Sequence, residues 1–447
     1  MDKKIIVAAG VAIVAGGFIA HAIAGNAAEK QIRESLAALE AEQAINVSQV
    51  ETHKGLGKTS LTARLDAVDA PGLSGELAMD VGYLSRTAEG TMTFDGEALS
   101  GEVDFTTGLG SGKRDYRFDA DELTAAGGAV TLAQVEGDGY VDAEREHFAL
   151  DMLTRQLRLQ SHVDHLEVNG LDAELEHNID AEEGGGRSHA RFAVDGVTVT
   201  ADSRTADSRG TPTQVASLGD AEIRNTATLD GDTYSSRLYL AANDAVFMDS
   251  EPGRAELDLT AKGLDYAAFA ALAEVLERHL KGADAGEDLS TAKQQALTRE
   301  LRATLREQAH ALLSRSPALE LETLTLDAAL PMLGRAEAKL SGRVAFDGDS
   351  LSPERARALL AGISAEAHEP PGDTLNQPAM SAQQTRAELA SRLSARLAVD
   401  TLPDAIVIEL PPALQALMIN HDAPHVFAWE DGRALYNDEP LEQALSR

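Results

Sequence analysis

The 447-residue chain has no cysteine, one tryptophan and 4% aromatic residues, and its 39 Lys and Arg stand against 73 Asp and Glu. Without cysteine, disulfides and thiolate chemistry are excluded, and the composition fits export to an oxidising compartment. Few aromatics and abundant alanine imply a thin core of Leu, Val and Ala. Only ten of the basic residues are lysine, and the net charge is -34. A field that negative excludes a phosphate-backbone partner, because affinity for nucleic acid depends on neutralising phosphates. It also disfavours adsorption to anionic lipid. The length allows two or three domains, or one extended sheet assembly.

What is present begins with an apolar run. Residues 5–25, IIVAAGVAIVAGGFIAHAIAG, contain no Asp, Glu, Lys or Arg. That is long enough to cross a bilayer. Lys3 and Lys4 precede the run and Glu29 follows it, an asymmetry that predicts a cytoplasmic N-terminus with the bulk of the chain exported. Ala22-Ile23-Ala24 also has the small-x-small form of a cleaved signal peptide. Residues 1–26 are therefore read as a membrane anchor or signal sequence, and 27–42 as a juxtamembrane helix with Ile32, Leu36 and Leu39 on one face.

Residues 43–262 read as strand and turn. In TMTFDGEALSGEVDF (91–105), Met92 and Phe94 share a face, Gly96 marks a turn, and Val103 and Phe105 resume the alternation. Asn169-Gly170 is a hairpin turn signal. Residues 263–316 read as a helical insertion: 265–280 opens on Asp265 as N-cap, and 289–314 forms a second run. Residues 317–447 mix strand and helix. In PALELETLTLDA (317–328), Leu319 and Leu321 have one parity and Leu324 and Leu326 the other, so the strand bulges near Thr323 or restarts there. A helix spans 351–361 with Pro353 in its first turn, 367–378 is a linker, another helix begins at Pro411-Pro412, and 426–441 closes as a hairpin around Asp431-Gly432.

Chemical motifs are weaker than this architecture. GLGKTS (55–60) imitates the end of a phosphate-binding loop, but Thr52 stands where the pattern requires Gly, and LTARLDAV (61–68) reads as strand. No nucleotide is expected. His162 and His165 of SHVDH (161–165) face opposite ways in a regular strand, against the convergent ligands zinc requires. His421, Asp422 and His425 lack a third partner of clear position, and GGGRS (184–188) reads as a hairpin tip. No catalytic, cofactor-binding or metal-ligating residue is assigned.

Three segments together resemble the bacterial YdgA-like (DUF945) family. HKGLGKTSLTARL (53–65) is similar to a family segment through Gly55, Leu56 and Ser60, although His53, Lys54 and Gly57 replace its usual Tyr, Arg and Phe. LLSRSPALELETLTLDAALPMLGRAEAKLSGRVAFD (312–347) resembles a helix end, Pro317, a strand, a turn holding Gly334 and a second strand. DGRALYNDEPL (431–441) resembles a closing segment through Asn437 and Pro440. The resemblance implies an uncharacterised envelope protein with no established catalytic residue. The expectation is then a mainly β, α+β chain: an N-terminal transmembrane helix, then a long, curved, largely antiparallel sheet with packed helices. It would be a single-pass inner-membrane protein, held by residues 5–25 with its bulk in the periplasm. Its function would be that of a non-enzymatic scaffold or partner-binding module for an envelope protein. The alternative is acyl-chain or phospholipid binding in an apolar groove of the sheet.

Overall fold

A computed structural model describes residues 45–67, 74–82, 87–96, 99–108, 114–125, 128–142, 147–160, 164–180, 184–201, 213–247, 250–281, 291–330, 334–365, 382–420 and 424–445. These residues form a mixed α/β fold on a large antiparallel sheet. The chain divides into two compact units. The first lies within Met1–Asn178, Ser188–Ile223 and Ala242–Asp249, and the second within Ile179–Arg187, Arg224–Ala241 and Ser250–Arg447.

In the first unit, β1 (Ile45–Lys54), β2 (Lys58–Ala67), β3 (Ser74–Gly82), β4 (Thr87–Asp95), β5 (Leu99–Gly108), β6 (Arg114–Ala125), β7 (Val130–Val141), β8 (His147–Gln160) and β9 (Asp164–Asp180) form a meander, each antiparallel to the next. Period-two patterning dictates this. In β3, Gly75, Leu77, Met79 and Val81 are buried while Glu76 and Ala78 are exposed. Seventeen apolar side chains of these strands make one core, each 8% exposed or less. At roughly 25 cal/mol per Å² of apolar area, such burial is what drives the assembly. Five cross-strand pairs set glycine against an aromatic ring: Gly75 and Gly101 flank Phe94, Gly90 faces Phe105, Gly137 faces Phe118 and Gly139 faces Tyr116. A Cβ on Gly137 would lie 2.7 Å from Phe118 Cε1 and 2.9 Å from Asp151 O. The missing side chain is the space the ring occupies.

Asn169-Gly170 does not reverse the chain. It lies inside β9, with Gly170 at φ +61°. β9 runs past both β10 (Gly185–Val194) and β11 (Gly196–Ala201). Asp195, at the corner between those two strands, donates its N–H to Asn169 O at 2.9 Å. The positive φ serves an irregularity in a long strand instead of a hairpin. β12 (Thr213–Leu218) pairs with β11, and β13 (Ala221–Asp230) and β14 (Thr233–Phe247) follow.

The second unit holds a further antiparallel run: β15 (Gly253–Asp265), β16 (Ala318–Leu330), β17 (Gly334–Phe346), β18 (Leu393–Thr401), β19 (His425–Glu430), β20 (Arg433–Tyr436) and β21 (Glu439–Pro440). β16 is continuous, and its register shifts between Leu321 and Leu324, which reconciles the two leucine parities. Asp265 Oδ1 accepts the Ala268 N–H at 3.0 Å and caps the helix Tyr266–Lys281. The second helical run is broken at Gln308 into Thr291–Glu307 and Ala309–Ser314. Ala309 packs with Phe346, Leu351, Ala356 and Leu359, so this helix and the helix Pro353–Ala365 cover the Phe346 end of β17. The helix Ala382–Arg392 carries Ala390, whose carbonyl accepts the Trp429 indole N–H at 3.0 Å.

The expected transmembrane helix over residues 5–25 and juxtamembrane helix over 27–42 lie outside the described residues. Among the described residues no helix is long and apolar enough to cross a membrane. The longest, Thr291–Glu307, has 17 residues and a polar sequence, against the roughly 20 apolar residues a span requires. The expectation is corrected accordingly. The fold is mixed α/β on a large antiparallel sheet, with no spanning helix shown. Single-pass inner-membrane localisation, anchoring through residues 5–25 and a membrane-tethered periplasmic function are not supported. The acyl-chain alternative required an unfilled apolar face, and in the first unit the core side chains are closed off from solvent.

Candidate functional site

The polar face of β2–β6 carries a recess of about 490 Å³. Two cross-strand rows build it. One runs Ser60, Asp80, Glu89, Thr106, Arg117, and the other runs Thr62, Ala78, Thr91, Asp104, Asp119. Ala78 sits between two threonines and contributes only a methyl group, so the surface dips there. Beneath it, Gly90 lets three strands approach closely: a Cβ would lie 2.9 Å from both Met79 Cα and Phe105 Cζ.

The recess is anionic. Lys58 Nζ reaches Asp80 Oδ2 at 2.5 Å and Ser60 Oγ donates to Oδ1 at 2.6 Å. The lysine bond, followed by the serine bond, holds the Asp80 carboxyl below the usual carboxylate range. Asp104 accepts from Thr91 Oγ1 at 2.5 Å. Among the described residues Glu89, Asp104 and Asp119 have no ion-pair partner. Arg117 is the cation on the wall.

The same rows continue outward as further acid. Arg117 is followed across β7, β8 and β9 by Asp138, Asp151 and Glu174, and Asp119 by Glu136. Carboxylates directly opposite one another repel. Burial first, then Glu174, Asp138, Asp172 and Glu176, push the Asp151 carboxyl up. Arg191 relieves part of this field. Its Nε donates to Glu222 at 2.8 Å, and its Nη1 to Asp172 at 2.7 Å and Glu174 at 3.2 Å. Those bonds raise its already high pKa. On the opposite face Tyr116 gives its hydroxyl proton to Ala149 O at 2.9 Å. Burial, with Asp138 and Asp151 behind it, pushes that phenol up to about 12.

The residues singled out from the sequence lie apart from one another. Gly55 and Leu56 form the β1–β2 turn, where the Gly55 N–H donates to Lys58 O at 2.9 Å and Leu56 is fully exposed. Of the family-like positions, Ser60 alone lines the recess. Lys58 serves Asp80, and LTARLDA continues as strand, so the segment that imitates a phosphate loop is a β-hairpin. Pro317 precedes β16 and accepts the Phe346 N–H at 2.9 Å. Gly334 opens β17 opposite Leu330. Asn437, at φ +49°, accepts the Val426 N–H on Oδ1 at 2.8 Å and returns its own N–H to Val426 O at 2.8 Å. Pro440 pairs with Leu435 in β21. His162, His421 and Asp422 lie outside the described residues. His165 pairs with Gln160 and Thr200 along the sheet. His425 is buried with Nδ1 2.8 Å from Tyr436 Oη. Among the described residues no group of three or more His, Asp or Glu side chains could hold a metal ion.

A comparison with protein families matches residues 56–406 to bacterial proteins of unknown function, DUF945. The chain belongs to the DUF945 family. No curated protein and no solved structure matches it. The DUF945 match contains the whole recess, from Ser60 to Asp119, together with Leu56, Pro317 and Gly334. Gly55 lies one residue before it, and Asn437 and Pro440 beyond it. Sequence reasoning missed the recess because alternation assigns faces but not register. Only the pairing of Ala78 between Thr62 and Thr91 reveals the dip. The small residue on the polar face of SGELAMDVG was its one signal.

Proposed function

We propose that this DUF945 chain is a binding protein whose first unit receives a cationic, extended ligand, a basic polypeptide segment, in the recess on β2–β6. The observation that carries the reading is a recess in which Glu89, Asp104 and Asp119 have no ion-pair partner among the described residues and Arg117 is the cation on the wall. Ammonium and guanidinium groups form short charge-assisted hydrogen bonds with carboxylates. Thr62, Thr91 and Thr106 add hydroxyls to the lining. The acidic rows on β7–β9 and the net charge of -34 steer such a ligand toward this face from a distance, and salt weakens that steering.

The test is titration of the full chain with a fluorescent lysine- and arginine-rich decapeptide, alongside a glutamate-rich one, at low and high salt. The basic peptide binds, its affinity falls with salt, and Asp104→Asn with Asp119→Asn weakens it about tenfold, near 1.4 kcal/mol. Both side chains are exposed, so the fold survives the substitutions. Equal affinity of the double variant and the parent, or equal binding of the two peptides, defeats the proposal.

A further inference from the structure

We infer that Lys58 is a resident occupant of the recess: its ammonium holds, on Asp80, the place that a lysine of the ligand takes. The inference rests on the reading of the recess as a site for a basic polypeptide. It adds which cation of the ligand binds at the Asp80 end, and what leaves when it does.

The β1–β2 hairpin builds the contact. The Gly55 N–H donates to Lys58 O at 2.9 Å, and Gly57 takes φ +95°, a conformation that favours glycine. This tight turn places Lys58 at the first position of β2, two residues before Ser60 and on the same face. The residue across from Lys58 on β3 is Gly82, which offers no side chain to hold it. The lysine stem instead runs along the sheet toward the next residue of that face on β3. That residue is Asp80, and Lys58 Nζ meets its Oδ2 at 2.5 Å. Asp80 and Ser60 both line the recess.

The contact is replaceable. The Lys58 side chain is 59% exposed and that of Asp80 34%, and an ion pair in such a setting adds little net stability. A basic polypeptide brings several cations on one chain, so its contacts with Glu89, Asp104 and Asp119 offset the loss of one tethered ammonium. When Lys58 leaves, Ser60 Oγ still donates to Asp80 Oδ1 at 2.6 Å and keeps the carboxylate oriented.

The same geometry selects the cation. With Ser60 on Oδ1, the oxygen left facing the incoming donor is Oδ2. A guanidinium fork pairs best with both oxygens of a carboxylate, whereas an ammonium is a point charge that a single oxygen serves. The Asp80 end therefore takes lysine in preference to arginine.

The experiment removes the occupant. Fluorescent lysine and arginine decapeptides are titrated at low salt into the full chain and its Lys58→Ala and Lys54→Ala variants. Lys54 is the control, because it carries the same charge on the same hairpin but lies opposite Thr59, on the other face. Lys58→Ala is expected to bind the lysine peptide at least about threefold more tightly than the parent, with a smaller gain for the arginine peptide. Lys54→Ala leaves both affinities near those of the parent. Asp80→Asn in the Lys58→Ala background abolishes the gain. Equal or weaker binding of the lysine peptide by Lys58→Ala overturns the inference while the basic-peptide reading of the recess stands. An equal gain from Lys54→Ala overturns it too, by assigning the effect to net charge, and so does a gain that survives Asp80→Asn. An arginine gain as large as the lysine gain defeats the selectivity. Absence of binding by the parent and every variant removes the reading of the recess, and this inference with it.

Discussion

Filling Gly137 tests the glycine–aromatic pairing that shapes the first unit. The backbone there is not in the left-handed region, so Gly137→Ala is conformationally allowed. It gains about 0.4–1 kcal/mol from the restricted unfolded chain. Against this, the new Cβ would lie 2.7 Å from Phe118 Cε1, about 0.7 Å inside the ordinary contact of 3.4 Å. Phe118 is 5% exposed, so its ring has no room to withdraw. Overpacking of this kind costs about 1–3 kcal/mol, which leaves a net loss of about 1–2 kcal/mol. The ring is the larger obstacle, and the Asp151 carbonyl at 2.9 Å is the smaller. Phe118→Leu costs about 1–2 kcal/mol by itself, but in that background Gly137→Ala becomes cheaper by about 1 kcal/mol, a coupling typical of side chains in contact. Trp429 belongs to the second unit, so its fluorescence does not report this change. Amide hydrogen exchange of β6–β8, followed by mass spectrometry over a denaturant series, does. Equal cost of Gly137→Ala in the two backgrounds refutes the reasoning, since the ring would then not be what the missing side chain accommodates.

Three further outcomes follow from polar geometry. Asp151→Asn stabilises the first unit by about 0.5 kcal/mol at neutral pH. Because the folded pKa of Asp151 is raised, the gain shrinks as pH falls through that value and vanishes near the unfolded value. A difference that stays constant in thermal melts between pH 7 and pH 3 would refute the raised pKa that burial and the neighbouring carboxylates impose. Arg237 donates Nε to Asp258 Oδ1 at 2.8 Å and Nη2 to Oδ2. Asp258 is buried, so Arg237→Ala costs about 2 kcal/mol, limited by the exposure of the arginine. The bond lowers the Asp258 pKa from 3.8. Its contribution is present above that value and is lost progressively as pH falls from there through the depressed one, so a loss that does not shrink at all below pH 3.8 contradicts it. Asn437→Gly keeps the φ of +49° but loses the bond to Val426, whereas Asn437→Ala loses both. Urea midpoints should place alanine below glycine and both below the parent, by about 1–2 kcal/mol for alanine.

The strands were legible where one face is buried. Met92 and Phe94, then Val103 and Phe105, announce β4 and β5 because each buried position recurs every second residue. The conflicting parities of Leu321 and Leu324 located a real bulge. Asp265 and Pro353 marked helix starts because capping is local chemistry. Asn169-Gly170 misled for the converse reason: the pair specifies a positive φ, and only the partner strands decide whether that φ turns the chain or kinks it. The break at Gln308, the helix Asp404–Glu409 and the recess depend on packing or register, which no local pattern encodes. The membrane expectation rested on residues 5–25 alone, and nothing in the described helices supplies a span.

The meander of the first unit has a consequence for how it is made. From β1 to β9 each strand pairs with the one that follows it in the chain. The separation between bonded residues stays near two strand lengths, so loop-closure entropy is small at every step. Such a sheet can be built by addition, each new hairpin docking on the last. Until the next strand arrives, the newest one presents unpaired backbone groups able to bond a neighbouring chain. Glu102, Asp104, Asp119 and Glu136, exposed on successive strands, keep nascent chains apart during that interval by mutual repulsion. The acidic surface thus bears on folding as well as on the finished face.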